Sequence, residues 1–213
     1  MNKINCRICD SPSPEFYCDP HTLKIYHHCG ECDLRFLNPR HYLSRDEEEA
    51  RYRLHQNRVE DEGYQKFNRP VIDMIRRGPP PLDILDFGCG DGPVIPYMLQ
   101  DSGHNIDLYD PFFRPDKSVL EKKYDIVTVV EVAEHLYCPQ KEFTRIKKML
   151  KPGGRLIAMT ELFRDHMNFG DWYYRKDPTH VCLYSERTMS WLKDHLGFAS
   201  VRIELPRLIL FTN

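Results

Sequence analysis

Two Cys-x-x-Cys turns open the chain, Cys6-Arg7-Ile8-Cys9 and Cys29-Gly30-Glu31-Cys32, with 19 residues between them. Each such turn can bring two thiolates to one ion at about 2.3 Å, and two turns complete a tetrahedron. The spacing predicts a zinc-ribbon-like head with Cys6, Cys9, Cys29 and Cys32 as ligands. Four thiolates leave no open coordination position, so the expected role of the zinc is structural. Cys18, His21, His27 and His28 lie nearby and could substitute, but none has a partner at comparable spacing. Five of the eight cysteines fall in the first 32 residues. In a chain with no apolar leader, such clustering points to metal ligation in a reducing compartment rather than to disulfides.

A second chemistry-bearing stretch is Leu85-Asp86-Phe87-Gly88-Cys89-Gly90-Asp91-Gly92. It sits where an apolar strand should hand over to a helix, so its glycines let backbone approach a ligand and the helix start supplies free amides. Asp86 just before the loop would repel a pyrophosphate but suits a cationic ligand. Asp110, at the tip of the next expected strand, could accept from both hydroxyls of a ribose. An acid before the loop and an acid at the neighbouring strand tip describe a nucleoside that carries positive charge. S-adenosylmethionine, with its amino group and sulfonium, fits.

Three zones must position these residues. The first, about residues 1–40, has short strand-like pieces and too little apolar mass to fold by burial alone. The second, 41–78, reads as helix: Ser44 and Glu47 form a capping box, Gly63 is expected to interrupt, and Phe67, Val71 and Ile75 recur every four residues. The run Gly78-Pro79-Pro80-Pro81 ends it. The third zone, 79–213, alternates strand and helix. Strands are expected at 82–87, 106–109, 125–130 and 155–160, with helices at 93–100, 139–150 and 185–196. Val201, Ile203 and Leu205, then Leu208 and Leu210, alternate about a break at Pro206 as a terminal hairpin. The pattern predicts an α/β fold: a doubly wound, mostly parallel sheet with a C-terminal antiparallel hairpin, plus the small metal-binding head and the helical segment.

The third zone resembles the class I S-adenosylmethionine-dependent methyltransferases. Asp86-Phe-Gly88-Cys-Gly90-Asp-Gly92 matches their first motif and Asp110 their ribose-binding acid. Glu131-Val-Ala-Glu134-His135-Leu136 is similar to their segment after the fourth strand, and Leu150-Lys-Pro152-Gly153-Gly154 to the turn before the fifth. The knuckles followed by helices resemble a subset with a zinc-binding head that acts on small molecules. The resemblance implies cofactor contacts from Asp86, Gly88, Cys89, Gly90, Asp110, Pro111, Phe112 and Glu131. Tyr52, His55 and Asn57 of the helical zone would cover the cofactor. One departure is that only about 15 residues separate the second strand from Asp125, so the usual helix and third strand must be shortened.

Methyl transfer to a protonated acceptor needs alignment, exclusion of water and removal of a proton. Glu134, His135 and His180 are the candidates for that work. His180, in Asp177-Pro178-Thr179-His180-Val181, is first in rank as general base, because the matching histidine of related enzymes faces the acceptor. The stretch from Glu161 to Leu183 is long for a connector and carries Phe163, Phe169, Trp172, Tyr173 and Tyr174. It is expected to be a lid over the acceptor or a plug into the core.

Lys+Arg 30 against Asp+Glu 32 gives a net charge of -2, and the head itself balances five basic against five acidic residues. Neither provides a face that tracks phosphates, so nucleic acid is disfavoured as a partner. No apolar run spans a bilayer, so a cytoplasmic location is the expectation. The expected enzyme transfers a methyl group from S-adenosylmethionine to a small-molecule acceptor. The alternatives are an RNA or protein methyltransferase docking through its ribbon, and a non-catalytic zinc-ribbon and nucleoside-binding module. The acceptor atom and the oligomeric state do not follow from the sequence.

Overall fold

A computed structural model describes residues 3–54 and 57–213. Its elements run β1 (Lys3–Asn5), β2 (Pro12–Cys18), β3 (Ile25–His28), β4 (Arg35–Leu37), α1 (Arg45–Tyr52) and α2 (Glu62–Ile75). Then come β5 (Asp83–Phe87), α3 (Val94–Met98), β6 (Asn105–Tyr109), β7 (Tyr124–Val130), α4 (Pro139–Met149) and β8 (Leu150–Met159). The chain ends with β9 (Cys182–Leu183), α5 (Glu186–Leu196), β10 (Ser200–Leu205) and β11 (Leu208–Thr212).

The larger sheet has the order β10-β11-β8-β7-β5-β6. The pairs β5–β6, β5–β7 and β7–β8 are parallel, while β11 joins β8 antiparallel and carries β10 as the expected hairpin. Alternation along each strand sorts side chains onto two faces. Leu85, Val127, Val129, Leu156 and Ala158 face one way, against Phe143 and Ile146 of α4 and Met189 and Leu192 of α5. Ile84, Ile126, Ile157 and Met159 face the other, against Val71, Ile72 and Ile75 of α2 and Val94 and Ile95 of α3. Burial on both faces is what the β-branched runs require, at about 1.5–3 kcal/mol per buried Leu, Ile or Val.

Helix starts follow the chemistry of their caps. Ser44 accepts from the Glu47 amide and Glu47 reaches back to the Ser44 amide, closing the capping box of α1. Ser185 does the same with Thr188 for α5, and Gly197, at φ 72°, ends that helix in the left-handed conformation. The break between α1 and α2 does not fall at Gly63, which lies in the first turn of α2. It lies upstream, where Asp61 caps the new helix by accepting from the Tyr64 amide at 2.7 Å. Between β6 and β7 the shortening goes further than expected: one 3-10 turn, Lys117–Glu121, replaces both helix and strand, and β6 forms the edge. α4 ends at Met149, just before Lys151–Gly154 as expected, and that stretch forms a bulge in β8 between Leu150 and Arg155, with Gly153 at φ 71°.

The smaller sheet has the order β1-β2-β3-β4-β9. Its last strand comes from residues 182–183, pairing Arg35 with Leu183 and Phe36 with Cys182. Ile8, Leu34 and Phe36 of the head share one hydrophobic core with α4 and α5. Residues 1–40 are therefore joined to the rest through a common sheet and a common core. The 161–183 stretch fills the space between the two sheets. Phe163, Phe169, Trp172 and Tyr174 are buried there, and Tyr173 is 58% exposed. Arg175 bolts the stretch to the head, donating to Asp19 Oδ2 at 2.7 Å and to the Phe169 carbonyl at 2.7 Å. Apart from Tyr173 these aromatic side chains plug into the core, and of the stretch it is His180 that reaches the cleft.

Candidate functional site

The strand ends of the larger sheet open onto a cleft of about 810 Å³. One wall is the glycine loop. Gly88 has φ +81°, and a Cβ there would stand 2.4 Å from Val132 Cγ2, so only glycine serves both needs. Gly88 and Cys89 donate to the Tyr109 carbonyl, at 2.7 and 3.2 Å, tying the loop to the end of β6.

Asp110 holds this corner together. Its Oδ1 accepts from the amides of Phe112 (2.8 Å) and Phe113 (3.0 Å), and its Oδ2 from the Gly90 amide (3.1 Å). A carboxylate offers about four acceptor positions, so room remains for a hydroxyl from the cleft, which Asp110 lines. Asp86 is placed otherwise than expected. It lies behind the loop, 4% exposed, accepting from Thr128 Oγ1 at 2.8 Å, and is not among the residues lining the cleft. Burial, reinforced by the charge of Asp110, pushes its carboxyl up to about 6 against the pull of the Thr128 hydroxyl.

Gly88, Cys89, Gly90, Pro111, Phe112, Glu131, Tyr52 and Asn57 all line the cleft. His55 lies outside the described residues. Tyr52 packs edge-on to Phe112 and to His135, each with centroids 5.4 Å apart. Glu131 takes φ 51°, and its amide donates to the Met159 carbonyl at 2.7 Å. Its carboxylate turns toward Tyr174 and Arg207, at 3.3 and 3.5 Å. Burial, and behind it the charge of Glu134, pushes Glu131 up to about 8.

Glu134, His135 and His180 converge elsewhere in the lining of the same cleft. Glu134 is fully buried; Oε2 accepts from Thr160 Oγ1 at 2.8 Å, and Oε1 has no hydrogen-bond partner. His135 Nδ1 sits 3.1 Å from the Thr179 carbonyl and His180 Nδ1 2.6 Å from the Tyr174 carbonyl. A carbonyl can only accept, so each Nδ1 carries a proton. Burial pushes His135 down to about 4, which keeps it neutral. The chain positions His180 through Val181, whose amide donates to the Glu134 carbonyl (2.8 Å) and whose carbonyl accepts from the Leu37 amide of the head (2.9 Å).

Sequence reasoning missed Glu48, which hides in an acidic run that reads as helix-start charge. It is buried and accepts from Tyr52 OH (2.7 Å) and Tyr137 OH (3.0 Å), setting two phenols in the cleft wall. A carboxylate four residues before a tyrosine on one helix face was the available signal.

In the head, the Sγ atoms of Cys6, Cys9, Cys29 and Cys32 lie within 4.8 Å of one another, with Cys6–Cys32 at 3.4 Å and Cys9–Cys29 at 3.3 Å. The two closest separations are too long for disulfides, and the 4.8 Å limit leaves room for the about 3.8 Å edge of a tetrahedron with 2.3 Å bonds. The knuckles match: Asp10 and Asp33, each just past its second cysteine, take φ 62° and 64° and donate to the Cys6 and Cys29 carbonyls. The donor set fits zinc. Cys18 is exposed, His27 is bound to the Ser13 carbonyl and Asn38, and His28 pairs with Asp33 at 2.6 Å. None of these three belongs to the cluster.

The methyltransferase-domain family matches residues 55–203. The chain belongs to the class I methyltransferase family. The ubiquinone biosynthesis O-methyltransferase of Cereibacter sphaeroides is 28% identical over 102 residues, covering 37% of this chain and 41% of that protein. The chain thus spans less than half the length of this curated relative. Among solved structures, an O-methyltransferase family protein from Burkholderia thailandensis superposes with a TM-score of 0.53 at 12% identity, covering 78% of this chain and 61% of that one. The 1,6-didemethyltoxoflavin-N1-methyltransferase of the same organism, solved with its namesake compound and S-adenosylhomocysteine, gives 0.50 at 15% identity over 93% and 96% of the two chains. At these identities the likeness concerns the fold. Among the described residues no helix is long and apolar enough to cross a membrane.

Proposed function

We propose that this methyltransferase-family chain transfers a methyl group from S-adenosylmethionine to a small-molecule acceptor. The observation that carries the reading is that a glycine loop pinned to Asp110 and the Glu134–His135–His180 cluster line one cleft. The ribose hydroxyls would meet Asp110, the adenine would lie beside Phe112, and Tyr52 and Asn57 would cover the cofactor. Asp86 would stabilise the cationic sulfur side from behind the loop. The acceptor's nucleophilic atom attacks the methyl carbon in line with sulfur, the carbon–sulfur bond breaks, and its electron pair stays on sulfur. The acceptor's proton passes to the histidine cluster, where His180 Nε2 is the first acceptor, with its tautomer set by Tyr174. The Burkholderia N1-methyltransferase, solved with a small heteroaromatic compound, supports a small acceptor.

The four head cysteines would hold one zinc ion with a structural role. The head and helical segment, 1–78, would form one wall of the cleft.

Calorimetry with S-adenosylhomocysteine tests the cofactor half. Asp110→Ala should weaken binding at least ten-fold, because a charge-assisted hydrogen bond contributes about 1.5–3 kcal/mol. Equal affinity in a variant that melts like wild type would remove the ribose assignment. Failure of the wild type to bind would remove the reading as a whole.

A further inference from the structure

Helix α1 contributes to the cleft lining without an apolar face of its own. Its run Arg45-Asp46-Glu47-Glu48-Glu49-Ala50-Arg51-Tyr52 buries one residue, Glu48, and leaves Ala50 exposed. Its attachment is therefore polar and aromatic, which is how a segment of low local stability is built. Arg45, Glu48 and Tyr52 line the cleft. Two tethers hold the helix, and both land on the segments that carry the histidines. Glu48 Oε2 accepts from the hydroxyl of Tyr137, just downstream of His135, at 3.0 Å. Arg51 Nη2 donates to Oδ2 of Asp177, just upstream of His180, at 3.0 Å. Arg51 Nε has no partner among the described residues, so this second tether is a single bond from a part-exposed side chain.

The receiving end of that tether organises both imidazoles. Asp177 Oδ1 accepts from the Thr179 amide at 2.9 Å and from the Thr179 hydroxyl at 2.6 Å. The Asp177 carbonyl accepts from the His180 amide at 3.2 Å, so side chain and backbone together close the Asp-Pro-Thr-His turn. Thr179 in turn offers its carbonyl to His135 Nδ1 at 3.1 Å. One carboxylate thus sets the turn that bears His180 and the acceptor atom that orients His135. Asp177 itself does not line the cleft.

We propose that Asp177 is the positioning residue for both histidines and that Arg51 clasps it to α1, so that His135 and His180 come into register when α1 closes on a bound nucleoside. The inference rests on reading the cleft as the methyl-transfer site, and it deepens that reading by fixing an order: cofactor first, acceptor second. Downstream of α1 the chain lies on the glycine loop, where the Asn57 carbonyl oxygen would stand 1.8 Å from a Cβ at Gly92. A nucleoside seated on that loop meets the segment that α1 anchors, and Tyr52 of α1 packs on both Phe112 and His135. Ordering α1 with the first ligand lowers the cost of aligning the histidines for the second, and the coupling is equal in both directions.

The test uses the full chain with isotope-labelled histidine and S-adenosylhomocysteine as the probe. Hydrogen exchange at the Nδ1–H of His135 and His180 is read by NMR, with His135→Gln and His180→Gln spectra assigning the signals. Saturating nucleoside should slow exchange at both positions by at least about five-fold, the lower end of ordinary coupling between sites. Arg51→Met should bind the nucleoside but lose this slowing, and Arg51→Lys, which keeps a charge for Asp177, should restore part of it. Asp177→Asn should leave both protons in fast exchange with or without the nucleoside. A merely structural tether would lower the melting temperature of Arg51→Met and leave the slowing intact, and that result overturns the proposal. An ion pair this exposed adds little to stability, so Arg51→Met keeps the fold, and if Asp177→Asn does not fold the two Arg51 variants decide. Nucleoside binding to wild type without slowing sinks the coupling alone, whereas no binding at all sinks the methyl-transfer reading and the coupling with it.

Discussion

Asp86→Asn is the perturbation whose size follows most directly from the structure. The carboxyl is 4% exposed at the end of β5, and burial followed by the charge of Asp110 lifts it from 3.8 to about 6. At about 1.4 kcal/mol per unit, ionising it in the fold costs roughly 3 kcal/mol relative to the unfolded chain. The sign follows from which state holds the proton. Below about pH 3 both states are protonated and the group favours neither. Between about pH 4 and 6 the unfolded chain loses its proton first, and the folded state loses ground. Above about pH 7 both are ionised and the full penalty stands. Asparagine keeps an acceptor for the Thr128 hydroxyl and does not titrate. The variant's stability minus that of wild type should therefore rise by about 3 kcal/mol from pH 3 to pH 8 and level off there. Urea unfolding at stepped pH reads this as a relative shift in midpoint of about 1 M or more. Saturating S-adenosylmethionine should shrink the swing, because a nearby cation favours the ionised acid. A difference that stays flat with pH would refute both the burial argument and the part given to Asp86 behind the loop.

Arg175→Met should destabilise the fold by about 3–5 kcal/mol, since it leaves the Asp19 carboxylate buried without its partner. Adding Asp19→Asn should recover part of the loss, and an effect below about 1 kcal/mol in chemical denaturation would show that the bolt is not needed. Gly92→Ala would place a Cβ 1.8 Å from the Asn57 carbonyl oxygen, so the segment over the glycine loop must move. Weaker S-adenosylhomocysteine binding with a nearly unchanged melt is expected, and unaltered affinity would mean that Asn57 does not cover the cofactor. Cys29→Ser should lower metal content from about one zinc per chain to near zero and loosen the head while the larger sheet stays folded. Elemental analysis checks this, and a wild type without zinc ends the assignment.

Features set by local chemistry were legible in the sequence. The Ser44 and Ser185 boxes, the Gly197 stop and the hairpin about Pro206 all depend on residues within a few positions of one another. So did the gathering of four cysteines, because each knuckle is a local turn. Features that need distant partners were hidden. Nothing in Cys182-Leu183 says that two residues will complete a sheet begun at Lys3. The aromatic stretch after β8 looked like a covering flap because its partners, Tyr17 and Tyr26, lie far away in sequence. Asp86 looked like a contact residue because the motif gives its neighbourhood but not its depth. Within the cleft, the histidines were visible as types, while the pinning of their Nδ1 atoms required the fold.

The two-residue strand β9 begins one residue after Val181, whose peptide links the head's backbone to the Glu134 carbonyl. Arg7, inside the first knuckle, also donates to the Tyr137 carbonyl in the cleft wall, at 3.1 Å through Nη2. An oxidant that strips the thiolates would thus also shift His180, the imidazole proposed as the proton acceptor. A graft that keeps only the larger sheet would inherit a cleft whose wall, set by the head, is out of alignment.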